Sequence, residues 1–235
     1  MVIWDPWRGC HKYSEGCENC YIHRADIKKG IDTNKIIKTD KFDLPVLKNK
    51  KGEYKIKPNN LVYLCFRSDF LIEEADSFRL ECFKMIKERP DLHFIFLTKR
   101  IERFDSVIPS DWKDGYDNVT VGCTIENQRT ASYRLEIFSK LKIKHKNIIC
   151  QPLIEKVSIS KYLKDIELVV VGGESGVNVR SLNYDWVLAL REECLNNNVS
   201  FQFRQCGSRF IKDGKEYFIE TKDLCSQARK ARIDF

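Results

Sequence analysis

The sequence predicts an α/β protein in which about six to seven parallel strands form a partial or complete (β/α) barrel. Two observations lead to this prediction. From residue 60 onward, short apolar runs of strand length alternate with helical segments, and this alternation is typical of βα units around a parallel sheet. Polar residues or glycine follow each apolar run within two positions, as at the carboxyl ends of barrel strands, where active sites are formed.

Several segments have the length and composition of strands. They are Val2–Trp4, Leu61–Cys65, His93–Leu97, Val119–Cys123, Asn147–Cys150, Leu168–Val171 and Val199–Phe203. The sequences LVYLC, HFIFL, VTVGC and LVVV are apolar almost throughout, which is typical of parallel strands buried on both faces. After the first strand, Phe42–Lys57 is expected to form two additional short strands that turn near Lys51–Gly52.

Helices are expected between the strands. They are predicted at Tyr21–Lys29, Ser77–Arg89, Ala131–Leu141 and Asp185–Asn196. The second of these has apolar residues at helical spacing and is closed by Pro90. The chain shows no internal repeat and no low-complexity linker, so we expect a single domain over residues 1–235 with a basic insertion at about residues 30–60.

The composition excludes a membrane-spanning or secreted protein. Hydrophobic residues make up 43% of the chain, enough for a sizeable core, but no run approaches the roughly 18 apolar residues of a membrane helix. The N-terminus lacks the basic and apolar regions of a secretion signal. Most of the ten cysteines are scattered through strand-like and helix-like segments, where a reduced cysteine acts as a small hydrophobe. We therefore expect a cytoplasmic, reducing compartment.

The positive charge is concentrated in one part of the chain. The formal net charge is +7, and residues 28–60 alone contain ten lysines and four acidic residues. A basic surface attracts nucleic acid. The alternative is a solvated lysine-rich hairpin or loop, which the residues favour because the segment has no arginine and its only aromatics are Phe42 and Tyr54.

The sequence GCHKYSEGCENCY places Cys10, Cys17 and Cys20 close together, with spacing Cys-x6-Cys-x2-Cys. Structural zinc normally takes four ligands, whereas three thiolates on an iron–sulfur cluster leave one iron open. The alternatives are a disulfide pair with a free thiol, small core residues, and a zinc site completed by His11, His23 or a distant cysteine. The sequence favours an open cluster over these.

Polar segments follow six of the predicted strands. They are Phe66–Asp69, Thr98–Arg100, Thr124–Asn127, Gln151–Pro152, Gly172–Gly176 and Arg204–Gly207. Helix capping or a tight turn explains any one of them. Lys99 and Glu174 are more informative, because charged residues directly after buried strands need partners. These two residues would pair with each other or with Arg100.

The segments WDPWRGCHKYSEGCENCY, SDF, LTKR, VGCTIENQ, QPL, VVVGGESG, DWV and FQFRQCG, in this order, resemble a phage and bacterial family with a three-cysteine motif. That family is similar to radical S-adenosylmethionine enzymes, and parts of it resemble the spore photoproduct lyase branch. The resemblance implies a radical-SAM-like barrel, a [4Fe-4S] cluster on Cys10, Cys17 and Cys20, and S-adenosylmethionine bound at the fourth iron.

The resemblance also implies an activity: an external one-electron donor reduces the cluster, S-adenosylmethionine is cleaved, and a 5′-deoxyadenosyl radical takes a hydrogen atom from the substrate. The substrate is unidentified, with a small molecule, a nucleobase or a nucleic acid as candidates. Two other classes stay open: a zinc- or cluster-containing nucleic-acid-binding module, and a non-catalytic cluster protein.

Roles for individual residues follow from this resemblance. Catalysis is assigned to Cys10, Cys17, Cys20 and Lys99. Cofactor binding is assigned to Tyr21, Ser68, Asp69, Lys99, Glu126, Gly172, Gly173 and Glu174. Substrate binding is assigned to Arg100, Gln151, Arg204 and Gln205.

Overall fold

The structure, a computed structural model, describes residues 2–235. Its strands and helices are, in chain order, β1 (Val2–Trp4), β2 (Trp7–Arg8), α1 (Tyr21–Lys28), β3 (Ile37–Lys38), β4 (Leu61–Leu64), α2 (Asp76–Glu88), β5 (His93–Thr98), α3 (Phe104–Val107), β6 (Val119–Thr124), α4 (Gln128–Phe138), β7 (His145–Cys150), β8 (Leu168–Gly172), β9 (Leu182–Asn183), α5 (Tyr184–Asn196), β10 (Ser200–Gln205), β11 (Arg209–Lys212), β12 (Lys215–Phe218) and α6 (Leu224–Lys230). Short 3₁₀ helices lie at Glu15–Cys17, Leu44–Val46, Glu73–Ala75, Ile101–Arg103 and Ser160–Tyr162.

The main sheet has seven parallel strands in the order β1-β4-β5-β6-β7-β8-β10. The order ends at β1 on one side and β10 on the other, so the sheet is an open half-barrel. The predicted partial (β/α) barrel of six to seven parallel strands is therefore confirmed. Two small sheets accompany it, one of β12, β11 and β9 and one of β2 and β3.

The strand sequences explain the burial of the sheet. All six residues of β6, VTVGCT, are buried, and β8 is buried from Val169 to its end. In β5 the buried residues alternate, with Phe94, Phe96 and Thr98 facing the interior. The other residues of β5, His93, Ile95 and Leu97, are half-buried, so one face of this strand is covered less completely than the faces of β6.

The chain forms two compact units. The first comprises the residues up to His11, Asp26–Gly122 and Leu141–His145. Its core is aromatic: the rings of Trp7 and Phe70 are stacked with centroids 5.4 Å apart, and Phe70 also lies 4.7 Å from Phe96. Helix α2 contributes the buried side chains Phe83 and Ile86. Aromatic pairs of this kind contribute specific geometry in addition to buried area.

The second unit comprises Lys12–Ala25, Cys123–Lys140 and Lys146–Phe235. Its core is formed by β8, β10 and α5, which bury Val171, Phe201 and Leu190. Phe235 pairs with β10 through two backbone hydrogen bonds to Phe201, of 2.9 and 3.1 Å, and its ring stacks on that of Phe201 with centroids 6.1 Å apart. Asn127 caps α4 by accepting a hydrogen bond from the backbone of Thr130.

The expected strand pair over Phe42–Lys57 is wrong. The segment contains the 3₁₀ turn Leu44–Val46 and a single antiparallel bridge between Lys48 and Tyr54. Pro45 provides no backbone donor, and most side chains of the segment are exposed, so no buried face holds a ladder in register. Among residues 2–235, no helix is long and apolar enough to cross a membrane.

Candidate functional site

The cysteine loop, residues 9–20, lies between β2 and α1 and carries Cys10, Cys17 and Cys20. Within residues 2–235, none of the ten cysteines forms a disulfide bond; these three are half-buried, six others are buried, and Cys225 is exposed. Cys10 belongs to the first unit, and Cys17 and Cys20 belong to the second. Within residues 2–235, no group of three or more His, Cys, Asp or Glu side chains is placed to hold a metal ion.

In the first unit, residues at strand ends hold the backbone on both sides of Cys10. The Ser68 hydroxyl, after β4, donates to the carbonyl of Gly9. The Arg100 guanidinium, after β5, donates to the carbonyl of His11 at 3.1 Å. Ser68, predicted to bind the cofactor, and Arg100, predicted to bind the substrate, therefore fix the peptide groups on either side of Cys10.

The basic segment holds the same part of the loop from another direction. The backbone N–H of Cys10 donates to the carbonyl of Thr33 at 2.7 Å. Gly9 has φ +94°, and a Cβ at this position would overlap the carbonyl oxygen of Lys35. Only glycine combines this backbone conformation with such a close approach.

Asp69 organises the ends of β4 and β5. Only 5% of the residue is exposed, and its carboxylate accepts hydrogen bonds from the Thr98 hydroxyl (2.7 Å), the Lys99 backbone (3.0 Å), the Arg100 guanidinium (3.1 Å) and the Leu71 backbone (2.9 Å). Four donors to one buried carboxylate satisfy the requirement that buried charges be paired. Asp69 and Arg100 therefore form an ion pair inside the protein.

Lys99 differs from its neighbours. The residue is half-buried, and its ammonium group forms no hydrogen bond or ion pair with any other residue in the range 2–235. Its backbone is held by Asp69. A fixed main chain with an unengaged cation is suited to binding an anion.

In the second unit, the remainder of the loop is a tight turn that leads into α1. The backbone N–H of Cys17 donates to Ser14 at 2.8 Å, and that of Cys20 donates to Cys17 at 3.2 Å. The Arg24 N–H then donates to the carbonyl of Cys20. Tyr21, the first residue of α1, is 55% exposed.

Arg180 and Glu174 fix this part of the loop. Glu174, after β8, accepts hydrogen bonds from the Asn19 side chain (2.8 Å) and from the backbone and guanidinium of Arg180. The Arg180 guanidinium also donates to the Glu15 carbonyl at 2.8 Å and to the Glu18 carboxylate at 3.2 Å. We call these five residues the Arg180 clasp.

The clasp determines the ionisation of its members. Burial acts to raise the pKa of Glu174, but hydrogen bonds from Arg180 and Asn19 and the charge of Arg180 outweigh it and hold the pKa below its usual value. For Arg180, burial acts to lower the pKa, and the contacts with Glu174, Glu18 and Glu15 raise it above its usual value. Both groups are therefore charged at neutral pH.

A buried carboxylate lies beneath Gly16. Glu126, after β6, is fully buried, and one of its oxygens accepts a hydrogen bond from Arg134 at 2.7 Å. Its other oxygen, Oε1, has no hydrogen-bond partner among residues 2–235. A Cβ on Gly16 would lie 3.1 Å from the Glu126 carboxyl carbon, so the loop backbone packs directly on this side chain.

Glu15 joins the loop to the start of α4. Its carboxylate accepts hydrogen bonds from Asn127 at 3.0 Å and from Arg129 at 2.7 Å. Asn127 is the residue that caps α4. The loop is therefore held by side chains after β6 as well as after β8.

The two glycines after β8 are packed closely by neighbouring loops. A Cβ on Gly172 would lie 3.0 Å from the side chain of Gln151, and one on Gly173 would lie 2.9 Å from the Cα of Gly207. Gln205 is buried; its side chain donates to the carbonyl of Gly173 and accepts from the backbone of Gly207 at 2.7 Å. Gln205 therefore holds strand-end loops together.

Two of the predicted substrate residues have unengaged side chains. Gln151 is half-buried and Arg204 is exposed, and neither side chain forms a hydrogen bond within the described part of the chain.

The Cys206 thiol is buried 3.4 Å from the carbonyl of Leu224, and burial raises its pKa to about 11. A thiol with this pKa is protonated at neutral pH and reacts slowly.

The sequence did not predict Arg180, Asn19 or Glu15 as functional residues. The one available signal was Glu174, whose position after a buried strand demands a partner. That partner is Arg180, six positions later in an irregular loop, where no hydrophobic periodicity marks it.

Comparison with known proteins identifies a family. The model of the family described as "Protein of unknown function (DUF5131)" matches residues 2–231. No curated protein and no solved structure matches the chain. The match spans almost the whole sequence, and the chain belongs to the DUF5131 family.

Proposed function

We propose that this protein is a radical S-adenosylmethionine enzyme that binds a [4Fe-4S] cluster through Cys10, Cys17 and Cys20. The observation that carries the proposal is the cysteine loop, which has three reduced, half-buried thiols. Its backbone is held by Ser68 and Arg100 at strand carboxyl ends and by Arg180 in the loop after β8. In α/β proteins with parallel strands, this edge of the sheet is where active sites form.

The chemistry of the donor set fits a cluster. The thiolate form binds iron, and burial raises the pKa of Cys65, Cys150 and Cys194 among the other cysteines, which keeps them protonated. The three loop cysteines are more accessible than these. The proposal therefore rests on the three loop thiols and on the hydrogen bonds that hold the loop backbone. Three thiolates on a four-iron cluster leave one iron to bind a cofactor.

Two side chains favour a bound cofactor. The unengaged ammonium group of Lys99 would pair with a carboxylate such as that of the methionine part of S-adenosylmethionine. The unpartnered Oε1 of Glu126 would accept a hydrogen bond from a hydroxyl or ammonium group of the ligand, since a buried acceptor without a partner costs about 1–3 kcal/mol. A cluster held by Cys10, Cys17 and Cys20 would supply the electron needed to cleave this cofactor, and the protein would bind and orient the reactants.

Other predicted residues support the site indirectly. Ser68, Asp69 and Glu174 use their oxygens in contacts with the loop or with neighbouring strand ends. We propose that these residues fix the loop rather than touch the cofactor. Gln151 and Arg204 stay candidates for the substrate, because their side chains are not engaged elsewhere in residues 2–235.

Anaerobic reconstitution with iron and sulfide tests the proposal. We expect about four iron atoms per chain and release of 5′-deoxyadenosine from S-adenosylmethionine after reduction. Cys10→Ala, Cys17→Ala and Cys20→Ala should each abolish both results. Cys225→Ala is the matched control, because this exposed cysteine lies outside the loop, and it should behave like the wild type.

The other classes give different results in the same experiment. Zinc without iron in the purified protein, retained through the same cysteines, indicates a zinc module. A cluster that assembles on the loop without cleaving the cofactor indicates a non-catalytic cluster protein. Either result, or equal iron content in the Cys17→Ala and Cys225→Ala variants, contradicts the enzyme.

A further inference from the structure

We infer that the first unit binds the phosphodiester backbone of a nucleic acid through a lysine surface. This surface consists of Lys28, Lys29, Lys35, Lys38, Lys41, Lys48, Lys50, Lys51, Lys55 and Lys57, all of them exposed. Only two have a carboxylate partner within residues 2–235: Lys38 with Glu81 at 3.4 Å and Lys57 with Glu53 at 3.6 Å. The other eight have no carboxylate within ion-pair distance in this range.

The charge of the protein is segregated onto this surface. Residues 28–60 hold ten lysines and four acidic residues, whereas the formal charge of the whole chain is +7. The segment therefore carries a surplus of six positive charges, nearly all of the net charge. Such a concentration attracts polyanions and releases their condensed counterions on binding.

The lysines are displayed on a fixed backbone. In the turn that follows Leu47, the Lys55 N–H donates to the Leu47 carbonyl at 2.8 Å. The guanidinium of Arg89, which is fully buried, donates to the carbonyl of Ile56 at 2.8 Å. Because the backbone is already ordered, binding a ligand to these lysines costs less conformational entropy than ordering a flexible tail would.

Helix α2 sets the spacing of the surface. Lys38 contacts Glu81, and Tyr54 donates to Glu88 at 2.8 Å. These two glutamates are two turns apart on one helix, a distance of about 10 Å. Successive phosphates follow at about 3.4 Å along the axis for each strand of a duplex, so the surface spans several phosphates.

The composition of the surface favours phosphates over bases. Lysine binds phosphate as a point charge, whereas bidentate base recognition uses arginine, and residues 28–60 contain no arginine. Phe42 is buried, and the ring of Tyr54 is covered by Lys48 and Arg89, at 4.8 and 4.1 Å. No aromatic side chain of the segment is therefore presented for stacking on a base.

The surface continues to the start of the cysteine loop. Strand β3 pairs with β2, where Arg8 lies opposite Ile37, and the Thr33 carbonyl accepts the N–H of Cys10 at 2.7 Å. A nucleic acid bound here would lie beside the Cys10 end of the loop. That this nucleic acid is the substrate rests on the proposed function. That it binds to the lysine surface does not.

Fluorescence anisotropy with short labelled duplexes of DNA and of RNA, of the same mixed sequence, tests the inference in the metal-free protein. The variant carries Lys48→Gln, Lys50→Gln, Lys51→Gln and Lys55→Gln. The matched control carries Lys156→Gln, Lys164→Gln, Lys215→Gln and Lys230→Gln, four exposed lysines of the second unit. Both variants lose the same net charge, and circular dichroism checks that both are folded.

We expect binding by the wild type that weakens steeply with salt. The surface variant should bind at least about tenfold more weakly at low salt, and its slope of log K against log salt should be shallower by up to about 3.6, since each phosphate contact contributes about 0.9. The control should stay within about twofold of the wild type. Binding of one duplex in preference to the other identifies the nucleic acid.

Three results would overturn the inference: no binding at low salt, equal weakening in both variants, or tighter binding to vesicles with anionic lipid than to either duplex. The Cys17→Ala variant separates this inference from the proposed function. If it binds the duplex like the wild type while assembling no cluster, the lysine surface acts independently of the loop. If the wild type assembles an active cluster but binds no duplex, the proposed function is retained and the inference about the lysine surface is refuted.

Discussion

The Arg180 clasp makes a quantitative prediction. Replacing Arg180 by alanine removes every side-chain cation from Glu174, whose carboxylate then keeps only the Asn19 amide and one backbone N–H. The Glu174 side chain is 4% exposed and that of Arg180 is 30% exposed. The change therefore leaves a buried carboxylate without its counterion, which is strongly destabilising.

The magnitude follows from this burial. Removing one partner of a fully buried ion pair costs about 3–5 kcal/mol, whereas exposed pairs contribute about 0–1 kcal/mol. Because part of the Arg180 guanidinium is in contact with water, we expect a loss of about 2–3 kcal/mol in the free energy of unfolding.

Urea unfolding at neutral pH, followed by circular dichroism, measures this loss. Arg209→Ala is the matched control: Arg209 also binds a glutamate, Glu216, but the two side chains are 40% and 31% exposed. It should cost much less than Arg180→Ala, because water screens an exposed pair. Equal losses in the two variants, or none in Arg180→Ala, would refute the reasoning.

The pH dependence checks the same contact. The folded pKa of Glu174 lies below its usual value of 4.5, so the ionised carboxylate stabilises the folded state above the unfolded pKa. This contribution is lost as the pH falls through the folded pKa. The difference in unfolding free energy between the wild type and Arg180→Ala should therefore be largest at neutral pH and shrink on acidification, because burial without Arg180 raises the pKa of Glu174 in the variant and protonation then removes the unpaired charge. A difference that grows on acidification would contradict this assignment.

Further predictions concern the loop and the buried residues. Gly16→Ala should lower the unfolding free energy in urea by about 1–3 kcal/mol, because its Cβ would lie 3.1–3.2 Å from three atoms of the fully buried Glu126 side chain; an unchanged midpoint would contradict the packing. Glu126→Gln should cost about 3 kcal/mol in the same assay, because it leaves the guanidinium of Arg134 buried without its charge partner; a neutral effect would show that the pair is not buried. Alkylation of the native, metal-free protein should modify Cys225 and the three loop cysteines, with the six buried cysteines reacting only after denaturation; mass spectrometry of the peptides tests this, and early labelling of Cys123 or Cys150 would contradict it.

The sequence predicted the sheet well because burial on both faces restricts what a strand can contain. The predicted strand His93–Leu97 extends one residue further in the structure, to Thr98, and Leu168–Val171 extends to Gly172. Continuous apolar runs bounded by polar residues left little choice of boundary. The short strands β11 and β12 were not predicted, because β12 is exposed along its whole length and shows no apolar pattern.

The contacts of the strand-end residues were not predictable in the same way. The position of Glu174 after a strand indicates a charged partner, and the sequence offers Lys99 and Arg100, which follow another strand. The structure instead pairs Arg100 with Asp69, and Glu174 with Arg180 and Asn19. Such pairings depend on which loops the tertiary fold brings together, and a single sequence carries no local pattern that records this.

Phe235 has a consequence for how the protein is handled. Strand β10 is the last strand of the main sheet, and Phe235 occupies hydrogen-bonding groups of Phe201 that would otherwise face outward. Unpaired strand edges promote self-association between chains. Phe235→Pro removes the N–H that donates to the Phe201 carbonyl. This variant is therefore expected to favour oligomers and aggregates in size-exclusion chromatography.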